Sequence, residues 1–369
     1  MPKITDISFL ISTRNSCERL KIVYDNIRTF YKKNYIVFIS DGSTDDTHDF
    51  LSRIQKKDDK IILHLSEKRL NFAGAYNKSI ELCPTNLFCF FHDDTFLSEN
   101  FLENIVKNLE KNNTFVCFST CEPPIFHNSD LIGKPIKNFG TDYKTLKLDE
   151  FYKFSTYFCN NNNKAISYGG GFFMCGPIEE VRKLNGFDPL FYPHFSEDSD
   201  LIHRLILNGN KFVLVLDSLV YHLPSSTATF SDEFKNVKLD FGLRNFLRKW
   251  HVPWNIIQEF NDVNISYKKL KCKLVMNFSN MNILYHLEPF FDTIITNNLN
   301  LVNNYIEKEQ LNTRFILKNK FIEYGHYDFV CYIEENQSIN VDYISKLQYI
   351  VNGGEMGRYN LEDLIIEIT

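Results

Sequence analysis

Two acidic clusters, far apart along the chain, contain the side chains best suited to chemistry. The first is Phe91-His92-Asp93-Asp94, which ends a short apolar run, and the second is Ser196-Glu197-Asp198-Ser199-Asp200, which opens a helical pattern. Carboxylate oxygens are preferred ligands of hard divalent cations, and a positioned carboxylate can also accept a proton during a reaction. Together the clusters predict a metal site and a catalytic base.

The first cluster follows Leu87-Phe88-Cys89-Phe90-Phe91, a short aromatic and apolar run that is typical of a buried strand. The carboxylates should therefore emerge at the C-terminal end of that strand. In open α/β sheets, ligands bind at this edge.

The elements that must position these acids alternate between strands and helices over residues 1–255, which predicts an α/β domain with a mostly parallel, Rossmann-like sheet flanked by helices. Hydroxyl groups of Ser43 and Thr44 are expected to cap the second helix, and Ser98 the fourth. The predicted strands cover residues 7–11, 35–39, 60–65 and 87–91, and the predicted helices cover residues 17–30, 44–54, 73–82 and 101–109.

Between residues 123 and 164 the periodicity fades among prolines, glycines and an asparagine tract, which predicts irregular chain used as a binding loop or left disordered. Three glycines follow in Tyr168-Gly169-Gly170-Gly171-Phe172. They would let a ligand approach the backbone closely, or they form a simple glycine-rich turn.

Residues 256–369 are expected to form a smaller C-terminal α/β unit, with strands at 271–278 and 329–333 and a helix at 283–293. The second of these strands and the acids after it faintly echo residues 87–94.

Composition excludes several classes of protein. The formal charge of −5 over 369 residues comes without a basic stripe, so no nucleic acid partner is expected. The nine cysteines form no CxxC pair, which favours reduced core residues and a cytoplasmic protein. No signal peptide or transmembrane segment is expected, while peripheral membrane contact and the oligomeric state stay open.

Further motifs occur in a fixed order, and with this order the chain resembles the inverting glycosyltransferases of family 2, which have the GT-A fold. The resemblance extends over roughly residues 4 to 250. The motifs are Ile11-Ser12-Thr13-Arg14-Asn15, Ser40-Asp41-Gly42-Ser43-Thr44-Asp45, Asn71-Phe72-Ala73-Gly74-Ala75-Tyr76-Asn77, Gly170-Gly171-Phe172-Phe173-Met174-Cys175, Gly186-Phe187-Asp188, the second acidic cluster, Val220-Tyr221-His222, and an Arg-Asn helix containing Arg244, Arg248 and Lys249.

The resemblance implies a divalent metal, Mn²⁺ or Mg²⁺, that stabilises a nucleoside diphosphate leaving group. Asp94 and His222 would bind it, and Asp93 would face the donor ribose or sugar. His92 departs from the family, because an aspartate often stands there. The bland alternatives are that Asp93 and Asp94 cap a loop and that His222 is structural.

Asp198 is the expected general base, with Glu197 as the alternative. The same residues also fit an ordinary helix N-terminus capped by Ser196, where the helix dipole would lower the pKa of Asp198. Thr13 would lie under the uracil or ribose, and Asp41 would hydrogen-bond the nucleotide base unless it only begins a turn. Asn71 stands where some relatives carry arginine near the base or diphosphate.

The resulting hypothesis is an enzyme, an inverting hexosyltransferase-type glycosyltransferase. It would move a sugar from a nucleotide-sugar donor, a UDP-sugar, to a hydroxyl of a glycan or lipid-linked glycan. Three roles stay open for residues 256–369: acceptor binding, oligomerisation, or part of a second transferase domain. Two alternatives remain: a catalytically inactive GT-A fold acting as a glycan-binding or assembly subunit, and a sugar nucleotidyltransferase. The latter usually has a glycine- and basic-rich loop where this chain has Ser12-Thr13-Arg14-Asn15.

Overall fold

The computed structural model describes residues 2–109, 113–125, 129–191, 195–223, 239–250, 272–275, 284–285, 288–290, 293–295, 298–309, 316–317, 329–332, 356–361 and 364–368. The chain divides into two compact units, the first formed by Met1–Lys238 with Ile257–Asp262 and the second by Leu239–Ile256 with Val263–Thr369. The helix at residues 239–250 thus belongs to the second unit, although the sequence had placed it in the first domain. The domain boundary at residue 255 remains a prediction.

In the first unit, the described residues form one sheet of nine strands in the order β3-β2-β1-β4-β8-β6-β9-β5, with β7 paired to β9. The pairs among β1 to β4 are parallel, as is β6 with β9, while β5, β7 and β8 run antiparallel to their neighbours. The strands are β1 (Ile7–Thr13), β2 (Ile36–Asp41), β3 (Ile61–Ser66), β4 (Leu87–His92), β5 (Thr95–Leu97), β6 (Thr114–Cys121), β7 (Ala165–Ser167), β8 (Met174–Pro177) and β9 (Lys211–His222).

Helices cover this sheet, and β1 shows why both of its faces are buried. Phe9 and Ile11 pack into one hydrophobic cluster, whereas Leu10 packs into a second one. Alternation of side chains along a strand produces this division. The helices are α1 (Cys17–Phe30), α2 (Thr47–Gln55), α3 (Asn71–Leu82), α4 (Phe101–Val106), α5 (Leu148–Asn161), α6 (Ile178–Lys183) and α7 (Glu197–Leu207).

The alternating strands and helices predicted for the first half of the chain are confirmed, but both predicted caps are wrong. Helix α2 begins after Asp46, and Ser43 instead accepts a hydrogen bond from the backbone N–H of Asn15. Helix α4 begins after Asn100, whose left-handed φ of 58° places no side-chain oxygen on the helix N–H groups.

Helix α5 corrects the prediction of irregular chain between residues 123 and 164. Phe151 and Ser155 are buried, and Phe154 and Phe158 pack against the same hydrophobic cluster. Spacings of three, four and seven residues place these side chains on one helix face. The helix was missed because prolines and glycines precede it and asparagines form its C-terminal end.

The second unit contains another sheet, and its described strands follow the order β12-β11-β10-β13-β15-β14. The first four are parallel, and the last two join antiparallel. The segments are α8 (Leu239–Trp250), β10 (Cys272–Val275), β11 (Thr293–Ile295), α9 (Leu299–Glu309), β12 (Ile316–Leu317), β13 (Phe329–Tyr332), β14 (Gly357–Leu361) and β15 (Leu364–Ile368). The predicted helix at 283–293 is wrong in extent, because a 3₁₀ turn at Glu288–Phe290 and the start of β11 fall within it.

Among the described residues, none of the helices combines the length and the apolar character needed to span a bilayer. The cysteines whose surroundings are described are free thiols, in agreement with the predicted reduced state: Cys17, Cys83, Cys89, Cys117, Cys121, Cys159 and Cys175.

Candidate active site and metal centre

Backbone pairing brings the end of β9 beside the first acidic cluster. The short strand β5 follows Asp94 directly and runs antiparallel to β9, so that Thr95 lies opposite His222. The backbone N–H of Leu223 donates a hydrogen bond of 3.0 Å to the carbonyl oxygen of Asp94. Two segments that are remote in sequence therefore meet at the carboxyl edge of the sheet.

Three side chains form a compact cluster at this edge: His92, Asp94 and His222. One potential ligand atom from each lies within 4.8 Å of the others. Nε2 of His222 is 3.4 Å from Oδ1 of Asp94, and Nδ1 of His92 is 3.9 Å from the same oxygen. Metal–ligand bonds of about 2 Å separate neighbouring ligand atoms by roughly 3–4 Å, so the cluster fits one divalent cation.

Glu122, which follows β6, orients one imidazole of the cluster. Its Oε1 lies 2.8 Å from Nδ1 of His222, which leaves Nε2 directed towards Asp94. Burial opposes a charge on His222, but Asp94 and Glu122 together raise its pKa to about 9. A cation bound at Nε2 would displace the proton that this pKa describes.

The other members of the cluster have shifted pKa values as well. Burial lowers the pKa of His92 to about 4, so its imidazole is neutral at pH 7. Burial also favours protonation of Asp94, yet the charges of His222 and Arg19 hold the pKa of this carboxyl well below its usual range. A neutral imidazole and an ionised carboxylate are the forms that ligate metals.

Aromatic rings from the glycine-rich segment enclose the two imidazoles. The ring centroid of Phe172 is 4.3 Å from that of His92, and the centroid of Phe173 is 5.1 Å from that of His222. Gly170 permits this arrangement, because it has a φ of 100° and a Cβ there would lie 2.5 Å from Ile202 of α7. The glycine thus serves close packing of the loop on the helix.

Asp93 is held by two groups that lie before it in the sequence. Thr13 Oγ1 donates a hydrogen bond of 2.6 Å to Oδ2, and Nη2 of Arg19 donates one of 2.9 Å to Oδ1. Nε of Arg19 also donates to the backbone carbonyl of Asp93. The sequence predicted Thr13 and Asp93 as donor contacts but missed Arg19, which lies inside α1 without a motif of its own.

The predicted nucleotide residues Asp41 and Asn71 lie together at the end of β2. Oδ1 of Asp41 accepts hydrogen bonds from the backbone N–H groups of Leu70 and Asn71, and Oδ2 accepts one from Nε of Arg69. Asn71 has a left-handed φ of 59°, which asparagine tolerates better than most residues. Asp41 therefore holds the start of α3 and brings Arg69 to this edge.

The second acidic cluster begins α7. Glu197 is buried, and its Oε2 has no hydrogen-bond partner among the described residues, whereas Asp198 is partly exposed. Oδ1 of Asp198 accepts a hydrogen bond of 2.7 Å from the backbone N–H of Ser199. Burial raises the pKa of Asp198, and burial together with the charge of Asp198 raises the pKa of Glu197 well above its usual range.

Two expectations about this helix end are wrong. The pKa of Asp198 is raised rather than lowered, because burial outweighs the helix dipole. Ser196 makes no side-chain capping bond, since its φ of 67° differs from the extended backbone of a capping residue. Phe195 also has a positive φ, of 81°, and such strained backbone occurs mainly at functional sites.

The Arg-Asn helix, α8, uses its arginines inside the second unit. Arg244 pairs with Glu309, with an Nη2–Oε1 distance of 2.6 Å. Nε of Arg248 lies 2.8 Å from Oε2 of Glu288. These ion pairs account for both guanidinium groups.

The fold and the site define an α/β domain of the GT-A type: a curled, mostly parallel sheet flanked by helices, with acids and histidines at its carboxyl edge. Residues 8–174 match the family model of glycosyl transferase family 2. Residues 8–174 thus form a domain of glycosyl transferase family 2.

Two curated relatives are similar over different lengths. The poly-β-1,6-N-acetyl-D-glucosamine synthase of Staphylococcus aureus (strain COL) is 26% identical over 133 residues, which cover 36% of this chain and 32% of the synthase. The chain thus spans about a third of that relative. The amylovoran biosynthesis glycosyltransferase AmsB of Erwinia amylovora is 27% identical over 253 residues, covering 64% of this chain and 76% of AmsB.

Similar solved structures include the mannosyltransferase PcManGT from Pyrobaculum calidifontis in complex with GDP-Man and Mn²⁺. It has a TM-score of 0.46 and 16% identity, and the match covers 68% of this chain and 66% of that one. TarS of S. aureus in complex with UDP-GlcNAc has a TM-score of 0.47 and 11% identity, covering 65% and 66%.

Proposed function

We propose that this chain is a metal-dependent, inverting glycosyltransferase that moves a sugar from a uridine diphosphate donor to a hydroxyl of a glycan or lipid-linked glycan. The observation that carries the proposal is the cluster of His92, Asp94 and His222 beside Asp93 at the carboxyl edge of the sheet. Uridine and inversion rest on the family resemblance. The glycan acceptor is supported by the names of the two curated relatives.

Each group of residues at this edge has a distinct role in donor binding. Asp94 and His222 would hold Mn²⁺ or Mg²⁺, and such an ion stabilises the negative charge of the departing nucleoside diphosphate. Asp93, fixed by Thr13 and Arg19, presents its carboxylate to the donor ribose or sugar.

The nucleotide base would bind at the neighbouring strand end. Asp41 and Asn71 are joined there by hydrogen bonds, and Arg69 brings a positive charge to the same place. A guanidinium group suits recognition of a diphosphate because of its fork of N–H donors.

Asp198 is the general base of the proposed reaction. Inversion needs one carboxylate to take the proton of the acceptor hydroxyl while that oxygen attacks the anomeric carbon from the face opposite the diphosphate. Asp198 is accessible to an acceptor, and its raised pKa makes it a stronger base than an ordinary aspartate. Glu197 is the alternative base, although it is more deeply buried.

Calorimetric titration of uridine diphosphate, with and without Mn²⁺, tests the donor site in wild type, Asp94→Asn and the exposed control Asp149→Asn. We expect uridine diphosphate to bind only with Mn²⁺ present. Asp94→Asn should weaken this binding by at least roughly 10–100-fold, the loss seen when only a hydrogen-bond partner of a metal ligand is removed. Asp149→Asn should bind like wild type. Binding that ignores both Mn²⁺ and Asp94 would contradict a metal-held donor. Metal-dependent binding without turnover of any UDP-sugar would favour the inactive glycan-binding subunit.

A further inference from the structure

The donor set at the edge of the sheet contains two imidazoles and only one carboxylate. We infer that His92 is a metal ligand beside Asp94 and His222, so that the centre selects transition-metal cations and discriminates against Mg²⁺. This inference rests on the proposed metal-dependent function and specifies which ions would serve it.

The surroundings of His92 favour a ligand role over a purely structural one. Nδ1 of His92 lies 3.9 Å from Oδ1 of Asp94, and its Nε2 is buried without a hydrogen-bond partner in the described part of the chain. Buried polar atoms normally have a partner, because an unsatisfied one loses its hydration without compensation. The unsatisfied Nε2 is a cost that a purely structural histidine does not explain. The nitrogen that an ion between the imidazoles and the carboxylate would bind is Nδ1, which faces Asp94.

Three aromatic side chains pack around the ring of His92. The ring centroids of Phe172 and Phe173 lie 4.3 and 5.0 Å from the centroid of His92, and that of Phe72 lies 6.2 Å away. If His92 were only an aromatic core residue, phenylalanine would serve equally well there, and this is the basis of the test below.

The second imidazole is already arranged as metal-bound histidines usually are. Glu122 lies 2.8 Å from Nδ1 of His222 and directs Nε2 towards Asp94. A carboxylate behind a histidine fixes its ring orientation and makes it a stronger ligand. Glu122 is therefore a positioning residue of the same centre, with no direct contact to the ion.

The identity of the donors decides which cations the site prefers. Mg²⁺ favours oxygen ligands and gives up its water reluctantly, whereas Co²⁺, Zn²⁺, Fe²⁺ and Ni²⁺ accept imidazole nitrogen readily. An aspartate at position 92 would give two carboxylates and one imidazole, a set better suited to Mg²⁺. With His92 the balance moves towards nitrogen-binding ions.

The test measures binding of Co²⁺ and of Mg²⁺ to the full chain without donor, by calorimetry and by the visible absorption spectrum of Co²⁺. The variants are His92→Phe, which keeps an aromatic ring without nitrogen, and Glu122→Gln. The control is His64→Phe, which changes a half-buried histidine of β3 outside the cluster. Thermal unfolding without metal shows whether each variant folds.

We expect wild type to bind Co²⁺ more tightly than Mg²⁺. His92→Phe should weaken Co²⁺ binding by about tenfold or more and alter the Co²⁺ spectrum, while Mg²⁺ binding changes less. Glu122→Gln should weaken Co²⁺ binding by roughly 10–100-fold. The melting temperature of metal-free His92→Phe should equal or exceed that of wild type, because a buried unsatisfied nitrogen is removed. His64→Phe should leave Co²⁺ binding and its spectrum unchanged.

Two results would overturn the inference. If His92→Phe binds Co²⁺ with wild-type affinity and spectrum, His92 is an aromatic core residue, and the proposed transferase function stands without it. If wild type binds neither Co²⁺ nor Mg²⁺ under any condition, the metal-dependent function fails together with the inference. A variant that does not unfold cooperatively is replaced by His92→Gln, for which the same loss of Co²⁺ affinity is expected.

Discussion

In both units of the chain, four parallel strands lie side by side in the same order: third, second, first, fourth along the sequence. They are β3-β2-β1-β4 in the first unit and β12-β11-β10-β13 in the second. In each unit the fourth strand pairs antiparallel with the next one in the sheet, β8 or β15. The two units thus share an arrangement of parallel strands, while the role of the C-terminal unit stays a prediction.

The two units use buried charge in different ways. In the second unit, the buried acids Glu288 and Glu309 are each paired with an arginine of α8. In the first unit, the buried Glu197 has an oxygen without a hydrogen-bond partner in the described part of the chain, and burial raises the pKa of Asp198 beside it. Removing one partner of a buried ion pair is strongly destabilising, whereas acids left without such compensation are available to a ligand or a reaction.

A shared strand order does not by itself give two units the same function. A parallel sheet provides an edge where ligands can bind, but side chains at the strand ends decide whether one does. Among the residues that the structure describes, a cluster suited to a metal occurs only in the first unit, at His92, Asp94 and His222. Substitutions of charged residues in each unit test whether charge is used for chemistry in the first unit and for stability in the second.

The largest expected effect is on catalysis, from Asp198→Asn in the first unit. Removing the general base should lower the rate of sugar transfer by about 10³-fold, within the range that general base catalysis contributes. Folding should be as stable or slightly more stable, because a carboxylate whose charge is disfavoured by burial is removed. Transfer kinetics and thermal unfolding measure the two effects separately.

The matched control for this prediction is Asp149→Asn, which neutralises an exposed acid in the first turn of α5. It should leave the transfer rate within about twofold of wild type, since a surface substitution changes little. Near wild-type transfer by well-folded Asp198→Asn would remove Asp198 from the base role. Glu197→Gln would then be examined in the same way.

Much of the fold could be predicted from the sequence because the signals are local. The spacing of Cys17, Leu20, Val23 and Ile27 specifies the buried face of α1, and its bounds were predicted correctly. Helix α5 was missed although Phe151, Phe154 and Phe158 have helical spacing. Turn-forming residues around it dominated the pattern.

The site could be predicted only in part because several of its contacts are long-range. His92 looked like a departure from a motif until strand pairing placed His222 opposite Thr95. Glu122 and Arg19 carry no local signal, since each acts through a residue that is distant in sequence. Such contacts depend on sheet register and helix packing rather than on residue spacing.

The second prediction concerns Arg248→Met in the second unit. Glu288 is 1% and Glu309 4% exposed, and Nη2 of Arg248 lies 3.0 Å from Glu309 while Nε lies 2.8 Å from Glu288. Loss of the arginine leaves buried negative charge uncompensated, which should lower the free energy of unfolding by about 3–5 kcal/mol. Chemical denaturation measures this change.

Lys249→Met is the control, because it removes the same charge from the adjacent position of α8. It should cost less than about 1 kcal/mol, the value of a partly exposed cation near an aromatic ring. If Arg248→Met unfolds at the same denaturant concentration as wild type, the second unit does not depend on these ion pairs for its stability. If stability falls in Arg248→Met while metal-dependent binding of uridine diphosphate persists, the buried charge of the second unit serves stability and not donor binding.

The smallest expected effect comes from Arg19→Lys in the first unit. Arg19 is buried and paired with an acid of the protein, as Arg244 and Arg248 are in the second unit. Its guanidinium donates to both the carboxylate and the carbonyl oxygen of Asp93, at 2.9 Å each, and to Oγ of Ser16 at 2.6 Å. Lysine keeps the charge but cannot span these acceptors, because it lacks the planar fork of donors. If Asp93 contacts the donor, its displacement should raise the donor KM by about tenfold, or about 1.4 kcal/mol, with a smaller change in kcat.

Arg28→Lys provides the matched control, since Arg28 lies in the same helix, pairs with Asp58 at 2.6 Å and donates to the carbonyl oxygens of Tyr31 and Asn34. It should lower stability by about 1.5–3 kcal/mol, the usual value of a hydrogen bond to a charged group, without changing the donor KM. An increase in KM confined to Arg19→Lys would assign this ion pair to the site. Equal losses of stability with unchanged KM would instead show that the first unit, too, uses its buried arginines only to hold the fold.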